Sequence, residues 1–101
     1  MLNAYIYNGV RTPFGRNAGS LSKVRPDDMM GVVIKEVVDR SAFDAADIDD
    51  VNIGCGNQAG EDSRCVARHA ALLAGLPIEI PGSVVQRNCG SGMNAIMSAA
   101  H

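Results

Sequence analysis

Three segments with strand character alternate with three of helical periodicity in this 101-residue chain, and this order limits its possible folds. Strands are predicted over residues 4–10, 51–55 and 83–86, and helices over residues 26–38, 63–74 and from about Cys89 onward. A β-α-β-α-β-α order is typical of an α/β fold whose strands run parallel between layers of helices. We therefore expect a layered α/β/α arrangement with a mostly parallel, buried sheet.

The first two predicted helices carry clear signals for their ends. Pro26 suits a first helical turn, and Asp27 and Asp28 complement the helix dipole there. Apolar residues then recur at helical spacing at Met29, Met30, Val33, Ile34, Val37 and Val38. This stripe predicts packing against a sheet or another helix. The second helix is expected to stop at Gly75 and Pro77.

Charge and hydropathy exclude several classes of function. The net charge of −2 and the pI near 5.5 argue against a nucleic-acid partner, because phosphate contacts need a basic face. The basic residues between Arg11 and Arg25 are more typical of a solvated loop than of an anion site. No apolar run is long enough to span a bilayer, and residues 1–10 lack a signal-peptide pattern. We expect neither a nucleic-acid nor a membrane partner.

The three cysteines, an odd number without the spacing of a small secreted domain, predict reduced thiols and a cytoplasmic location. Cys55 and Cys65 are interpreted as packing thiols, and His69 as a helix residue without a catalytic role. A structural zinc site built from these residues and Cys89 is disfavoured because no C-x-x-C pair is present.

The most informative segment is a strand-turn-helix centred on Cys89. A β-branched run ends near Val85, and Asn88 is a good N-cap, so Cys89 is predicted at the first helical position. Unpaired backbone N–H groups and the positive end of the helix dipole favour a thiolate at such a position. The backbone N–H of Cys89 could also donate to the oxyanion that forms when the sulfur attacks a carbonyl.

Two glycines follow the cysteine in what should be a helix. Gly90 and Gly92 each cost about 1 kcal/mol relative to alanine in a helix interior. A ligand or a neighbouring backbone that approaches closely would compensate for this cost. The alternative is that Cys89 is a buried structural thiol and that the glycines serve helix packing. Position, cap and glycines leave the two interpretations about equally favoured.

Three collinear motifs resemble those of the thiolases. The segment VQRNCGSGM at residues 85–93 resembles their active-site segment, and RTPFGR at residues 11–16 with GSL at residues 19–21 resembles their N-terminal signature. The run GCGNQAGED at residues 54–62, followed by VAR at 66–68 and LLAGLP at 72–77, is similar to the 3-oxoadipyl-CoA thiolase branch. Gln86 is a departure, since many thiolases carry Asn there.

This resemblance implies an acyltransferase that cleaves 3-oxoacyl-CoA with free CoA, or condenses acyl-CoA units in the reverse direction. It implies that Cys89 is the catalytic nucleophile and carries the acyl group as a thioester, with Asn88, Gly90, Ser91 and Gly92 supporting the turn. CoA would be a co-substrate, and neither a permanently bound cofactor nor a metal is expected. The family's base histidine and second cysteine have no counterpart among these residues.

The resemblance also implies that residues 1–101 are an incomplete N-terminal thiolase domain that ends within the helix after the nucleophile. The expected partners are acyl-CoA substrates, the C-terminal half of the fold, and further copies in a dimer or tetramer. Two alternatives remain: a catalytically inactive fragment or assembly module, and a ketoacyl synthase-type condensing enzyme. A dinucleotide-binding fold is disfavoured because the glycine spacing at residues 54–60 does not fit.

Overall fold

The computed structural model describes residues 2–62 and 64–101, which form three α-helices, one short 3₁₀ helix and a two-stranded sheet. In chain order the elements are α1 (Pro26–Asp39), the 3₁₀ helix (Ala45–Asp47), β1 (Val51–Gly54), α2 (Val66–Leu73), β2 (Gly82–Val85) and α3 (Ser91–Ala100). The α/β class and the parallel pairing expected from the sequence are confirmed.

The sheet separates two of the helices. β1 and β2 pair in parallel with Val51 opposite Gly82 and Gly54 opposite Val85. Successive residues of a strand face opposite sides, so Gly54 and Gly82 lie on opposite faces. A Cβ atom built on Gly82 would lie 2.7 Å from the backbone nitrogen of Arg68 in α2, and one on Gly54 would lie 2.3 Å from the carbonyl carbon of Ser91 in α3. Helices α2 and α3 therefore cover opposite faces of the sheet.

The core lies between α1, α2 and one face of the sheet. Its buried residues are Ile34, Ile53, Val66, Ala67, Ala70, Ala71, Leu76 and Ile80. The small alanine side chains of α2 let the neighbouring elements approach closely. At the contact with α1, a Cβ atom built on Gly31 would lie 3.2 Å from Leu73 Cβ. The apolar stripe of the first helix thus packs mainly against another helix, one of the two partners that the sequence allowed.

The ends of α1 and α2 follow the sequence signals. Helix α1 begins at Pro26, and the carboxylate of Asp27 accepts hydrogen bonds from the Arg25 guanidinium at 3.1 and 3.0 Å. This contact lowers the pKa of the Asp27 carboxyl. Helix α2 ends in a Schellman motif, in which Gly75 has φ +81° and the Leu76 N–H donates to the Ala71 carbonyl at 3.1 Å.

The prediction of a strand over residues 4–10 is wrong. This segment has no regular secondary structure and pairs with no strand among the described residues, so the observed sheet has two strands instead of three. Tyr5 and Ile6 are 88% and 85% exposed. Alternating side chains favour a strand only when a partner supplies ladder hydrogen bonds and a surface to cover one face. Residues 4–10 have no strand partner in the described part of the chain, whereas the strands that do form are half-buried apart from Ile53, which is buried.

One smaller difference concerns the start of the second helix. The second helix is predicted to begin at Ser63, which lies outside the described residues, whereas α2 begins at Val66.

Met1, the first residue of the segment examined for a signal peptide, also lies outside the described residues. Across residues 2–62 and 64–101, every helix is too short or too polar to traverse a lipid bilayer.

The close contact between β2 and α2 predicts that a side chain at residue 82 lowers the free energy of unfolding. Gly82→Ala places a methyl group against the backbone of Ala67 and Arg68 at 2.8 and 2.7 Å, so we expect a loss of about 1–3 kcal/mol of unfolding free energy. Urea unfolding followed by circular dichroism measures it. Gly60→Ala is the matched control, because nothing lies within 4 Å of the added methyl group. Equal stability of the two variants would contradict this packing.

Candidate active site

Residues 86–90 form a tight connection between the end of β2 and the start of α3. Gly90 N–H donates to the Arg87 carbonyl at 2.8 Å, and Ser91 N–H donates to the Asn88 carbonyl at 3.2 Å. Cys89 lies within this turn and is exposed. The thiol is therefore available at a strand-to-helix junction, and the alternative of a buried structural thiol does not apply in this structure.

The predicted helix start is two residues too early. Gly90 is the N-cap of α3, and Asn88 has a left-handed backbone with φ +46°, so Asn88 is not the cap and Cys89 is not the first helical residue. Asparagine is one of the few residues besides glycine that tolerate this conformation. The preference of Asn for caps and for left-handed turns has the same local origin, and the sequence does not distinguish the two.

The buried side chain of Ser91 makes hydrogen bonds to the backbone of the turn. Ser91 is 4% exposed, and its hydroxyl accepts a hydrogen bond from Arg87 N–H at 2.8 Å while donating to the Asn88 carbonyl at 2.7 Å. The Gln86 amide adds a second set of contacts, since its Nε2 donates to the Gly56 carbonyl at 3.2 Å. These contacts hold the backbone that carries Cys89 against the end of β1.

The glycines with close backbone neighbours are not the ones expected. Among the described residues, nothing lies within 4 Å of a Cβ atom built on Gly92, and Gly90 has only ordinary contacts. Close approach occurs at Gly54, next to Ser91, and at Gly56, where a Cβ atom would lie 3.0 Å from the Asn88 carbonyl oxygen. The sequence analysis missed both roles, although a glycine within a strand, such as Gly54 at the end of β1, is a general signal for close approach of another backbone.

The junction also offers free backbone donors. Within residues 2–62 and 64–101, no acceptor is assigned to the N–H groups of Cys89, Gly92 and Met93. Gly92 and Met93 lie in the first turn of α3, which has no side-chain cap, so unpaired N–H groups are expected there, and Cys89 directly precedes the N-cap residue Gly90. An exposed thiol beside unpaired N–H groups can attack a carbonyl carbon while a donor lies near the developing negative charge on its oxygen.

Comparison with known proteins identifies the family. The model of the thiolase N-terminal domain matches residues 4–101, a range that contains all three motifs. The chain belongs to the thiolase family.

Individual relatives agree with this membership. This thiolase chain is 52% identical over 101 residues to the beta-ketoadipyl-CoA thiolase of Acinetobacter baylyi, covering 99% of the chain and 25% of the relative. The same figures apply to the 3-oxoadipyl-CoA/3-oxo-5,6-dehydrosuberyl-CoA thiolase of Escherichia coli K12. A 3-ketoacyl-CoA thiolase of Bacillus subtilis is 42% identical, over 99% of the chain and 26% of that protein. The chain thus spans about a quarter of the length of these relatives.

A solved structure shares the fold. The acetyl-CoA acetyltransferase of Bacillus anthracis superimposes with a TM-score of 0.84 at 41% sequence identity. The match covers 90% of this thiolase chain and 23% of that chain. The two-stranded sheet and its helices are therefore part of the thiolase fold.

The other two cysteines of this thiolase chain pack as predicted. Cys55 and Cys65 are half-buried against the core, and the Cys65 thiol donates to the Gly82 carbonyl at 3.2 Å. Burial raises the pKa of the Cys55 thiol, which lies 3.5 Å from Asp62 Oδ2. Cys55 lines a cleft of about 370 Å³ together with Asp62, Arg11 and Thr12, and Cys89 is not among its lining residues.

The two histidines of the chain lie on helix α2 and at the end of α3, outside the turn that carries Cys89. His69 is exposed on α2, and the His101 ring contacts the Met97 carbonyl at the end of α3. In the part of the chain that the structure describes, no three His, Cys, Asp or Glu side chains are grouped to hold a metal ion. The zinc alternative built from Cys55, Cys65, His69 and Cys89 therefore finds no support here.

Exposure and pKa predict an order of cysteine alkylation. Iodoacetamide should modify Cys89 first, because Cys55 and Cys65 are half-buried. The raised pKa of Cys55 keeps its thiol protonated near neutral pH, so its labelling should accelerate as the pH increases from 7 towards 10. Peptide mass spectrometry at timed intervals measures both effects. Cys89→Ser is the control that should remove the first-labelled site, and earlier labelling of Cys55 would contradict the assignment.

Proposed function

We propose that this chain is the nucleophile-bearing part of a longer thiolase that exchanges acyl groups between 3-oxoacyl-CoA and CoA through a thioester on Cys89. The observation that carries the proposal is the exposed Cys89 thiol at the β2–α3 junction, beside unpaired backbone donors. Residues 1–101 would then be an incomplete N-terminal domain, with Asn88, Gly90, Ser91 and Gly92 supporting the nucleophile.

The proposed reaction has two covalent steps. The Cys89 sulfur attacks the 3-keto carbon, and in this proposal the Cys89 N–H donates to the resulting oxyanion. The carbonyl re-forms as the bond between C2 and C3 breaks, and the electron pair leaves on C2 of the departing acetyl-CoA, which takes up a proton. The sulfur of free CoA then attacks the thioester carbonyl, releasing the new acyl-CoA and the Cys89 thiolate.

The remaining partners come from outside this chain. Family resemblance assigns proton transfer to a histidine and a second cysteine in the C-terminal half, and assembly to a dimer or tetramer. CoA serves as a co-substrate, and no permanently bound cofactor or metal takes part in the proposed steps. The cytoplasmic location expected from the cysteine content stays a prediction.

For the substrate, we propose a 3-oxoadipyl-CoA-like molecule with a short dicarboxylic acyl chain. The support is the greater similarity to relatives named for this substrate, at 52% identity, than to the 3-ketoacyl-CoA thiolase, at 42%. The GCGNQAGED run at residues 54–62, which resembles this branch, contributes Gly54, Cys55 and Asp62 to the lining of the cleft.

An assay of the full-length protein tests the nucleophile. Cys89→Ser should lower the rate of CoA-dependent cleavage of 3-oxoadipyl-CoA by at least about 10³-fold, as expected for loss of a nucleophile. Intact-mass analysis without free CoA should show the acyl adduct on the parent protein only. Cys65→Ser is the control, since a serine hydroxyl can also donate to the Gly82 carbonyl.

The isolated 101-residue chain should show no turnover, because it carries the nucleophile without the proposed proton-transfer partners. A Cys89→Ser protein with the parent rate, or cleavage of acetoacetyl-CoA by the isolated chain, would contradict the proposal.

A further inference from the structure

We propose that Ser91 is a positioning residue, whose buried hydroxyl holds the Cys89 turn in the geometry that acyl transfer requires. This inference rests on the proposed function, because it assigns Ser91 a role in the reaction of Cys89. Ser91 itself touches neither the substrate nor the reacting atoms in this proposal. It acts through the main chain that carries the nucleophile.

The hydroxyl contacts the first and the third of the three peptide groups that link Gln86 to Cys89. Its oxygen accepts from Arg87 N–H at 2.8 Å, and its hydrogen goes to the Asn88 carbonyl at 2.7 Å. The Asn88 carbonyl belongs to the peptide bond whose other end is the Cys89 N–H. The direction of the proposed oxyanion donor is therefore coupled to the Ser91 hydroxyl.

The two hydrogen bonds of the Ser91 hydroxyl enclose Asn88, a residue with an unfavourable backbone conformation. Asn88 has φ +46°, and an L-residue persists in the left-handed region only where its surroundings hold it there. The Gln86 and Asn88 side chains are exposed, with weaker contacts of 3.4 and 3.5 Å between Gln86 and Asn88. The hydrogen bonds of Ser91 are shorter, and Ser91 itself is only 4% exposed. Its hydrogen bonds are therefore better shielded from water than those of the exposed side chains.

Ser91 is in turn anchored on the sheet. The site for a Cβ atom at Gly54 lies 2.3 Å from both the carbonyl carbon and the carbonyl oxygen of Ser91, so β1 and the first turn of α3 are in direct backbone contact. This contact leaves Ser91 little freedom to move. The Ser91 hydroxyl thus links the position of β1 to the backbone of the turn that carries Cys89.

Removal of the hydroxyl has a specific consequence. Ser91→Ala leaves Arg87 N–H and the Asn88 carbonyl without these partners, and the turn can relax. Since small displacements of reacting groups lower rates by up to about 100-fold, kcat should fall by roughly 10- to 100-fold. KM should change less than about twofold, because the loss affects a geometry needed in the transition state and not substrate binding.

The test uses the full-length protein and compares acyl transfer with simple thiol exposure. Ser91→Ala should lower kcat and the single-turnover rate of acyl-Cys89 formation, followed by mass spectrometry, while the iodoacetamide rate at Cys89 stays within about threefold of the parent. Ser91→Thr keeps the hydroxyl and should recover part of kcat. Ser98→Ala is the control, since Ser98 is an exposed serine of the same helix.

Each outcome decides the proposal. A fall in kcat with a near-parent alkylation rate supports it. A Ser91→Ala protein with kcat within twofold of the parent overturns it, as does an equal fall in kcat and in alkylation, which would indicate a merely structural role. Absence of acyl-Cys89 in the parent protein would instead overturn the proposed function, so the two failures are distinguishable.

Discussion

Direct backbone contact between β1 and the first turn of α3 governs the geometry of this thiolase chain. Gly54 has no side chain, and the space that a Cβ atom would occupy lies 2.3 Å from the main chain of Ser91. Any other residue would push α3 away from the sheet. Because the turn with Cys89 joins β2 to α3, a displacement of the helix would displace the thiol as well. The position of the Cys89 thiol thus depends on a glycine in a neighbouring strand.

A second glycine allows close backbone contact on the opposite face of the sheet. Gly82 brings β2 against the backbone of α2, whose buried alanines leave room for α1 on its other side. The guanidinium of Arg68 then donates to the carbonyls of Ile80 and Ile78 at 2.6 and 2.9 Å, which satisfies part of the loop leading into β2. Small residues and one long polar side chain together place both strands between the helices.

The predictable parts of the fold are those with local signals. Pro26 and Asp27 mark the start of α1, and Gly75 marks the end of α2, because helix ends depend on backbone groups within one turn. The β-branched runs locate β1 and β2 to within one residue. Residues 4–10 carry an equally good alternating pattern yet form no strand, since a strand also needs a partner that its own residues do not supply.

The candidate site also has features that local sequence determines and features that depend on tertiary packing. The sequence by itself determined the family motifs, the thiol at residue 89, and a strand-turn-helix around it, because each depends on residue identity and short-range order. Only the tertiary structure decided that Asn88 is left-handed, that α3 begins at Ser91, and that the Ser91 hydroxyl lies buried inside the turn. These features depend on how closely Gly54 lets two distant segments approach, and no local pattern specifies that distance.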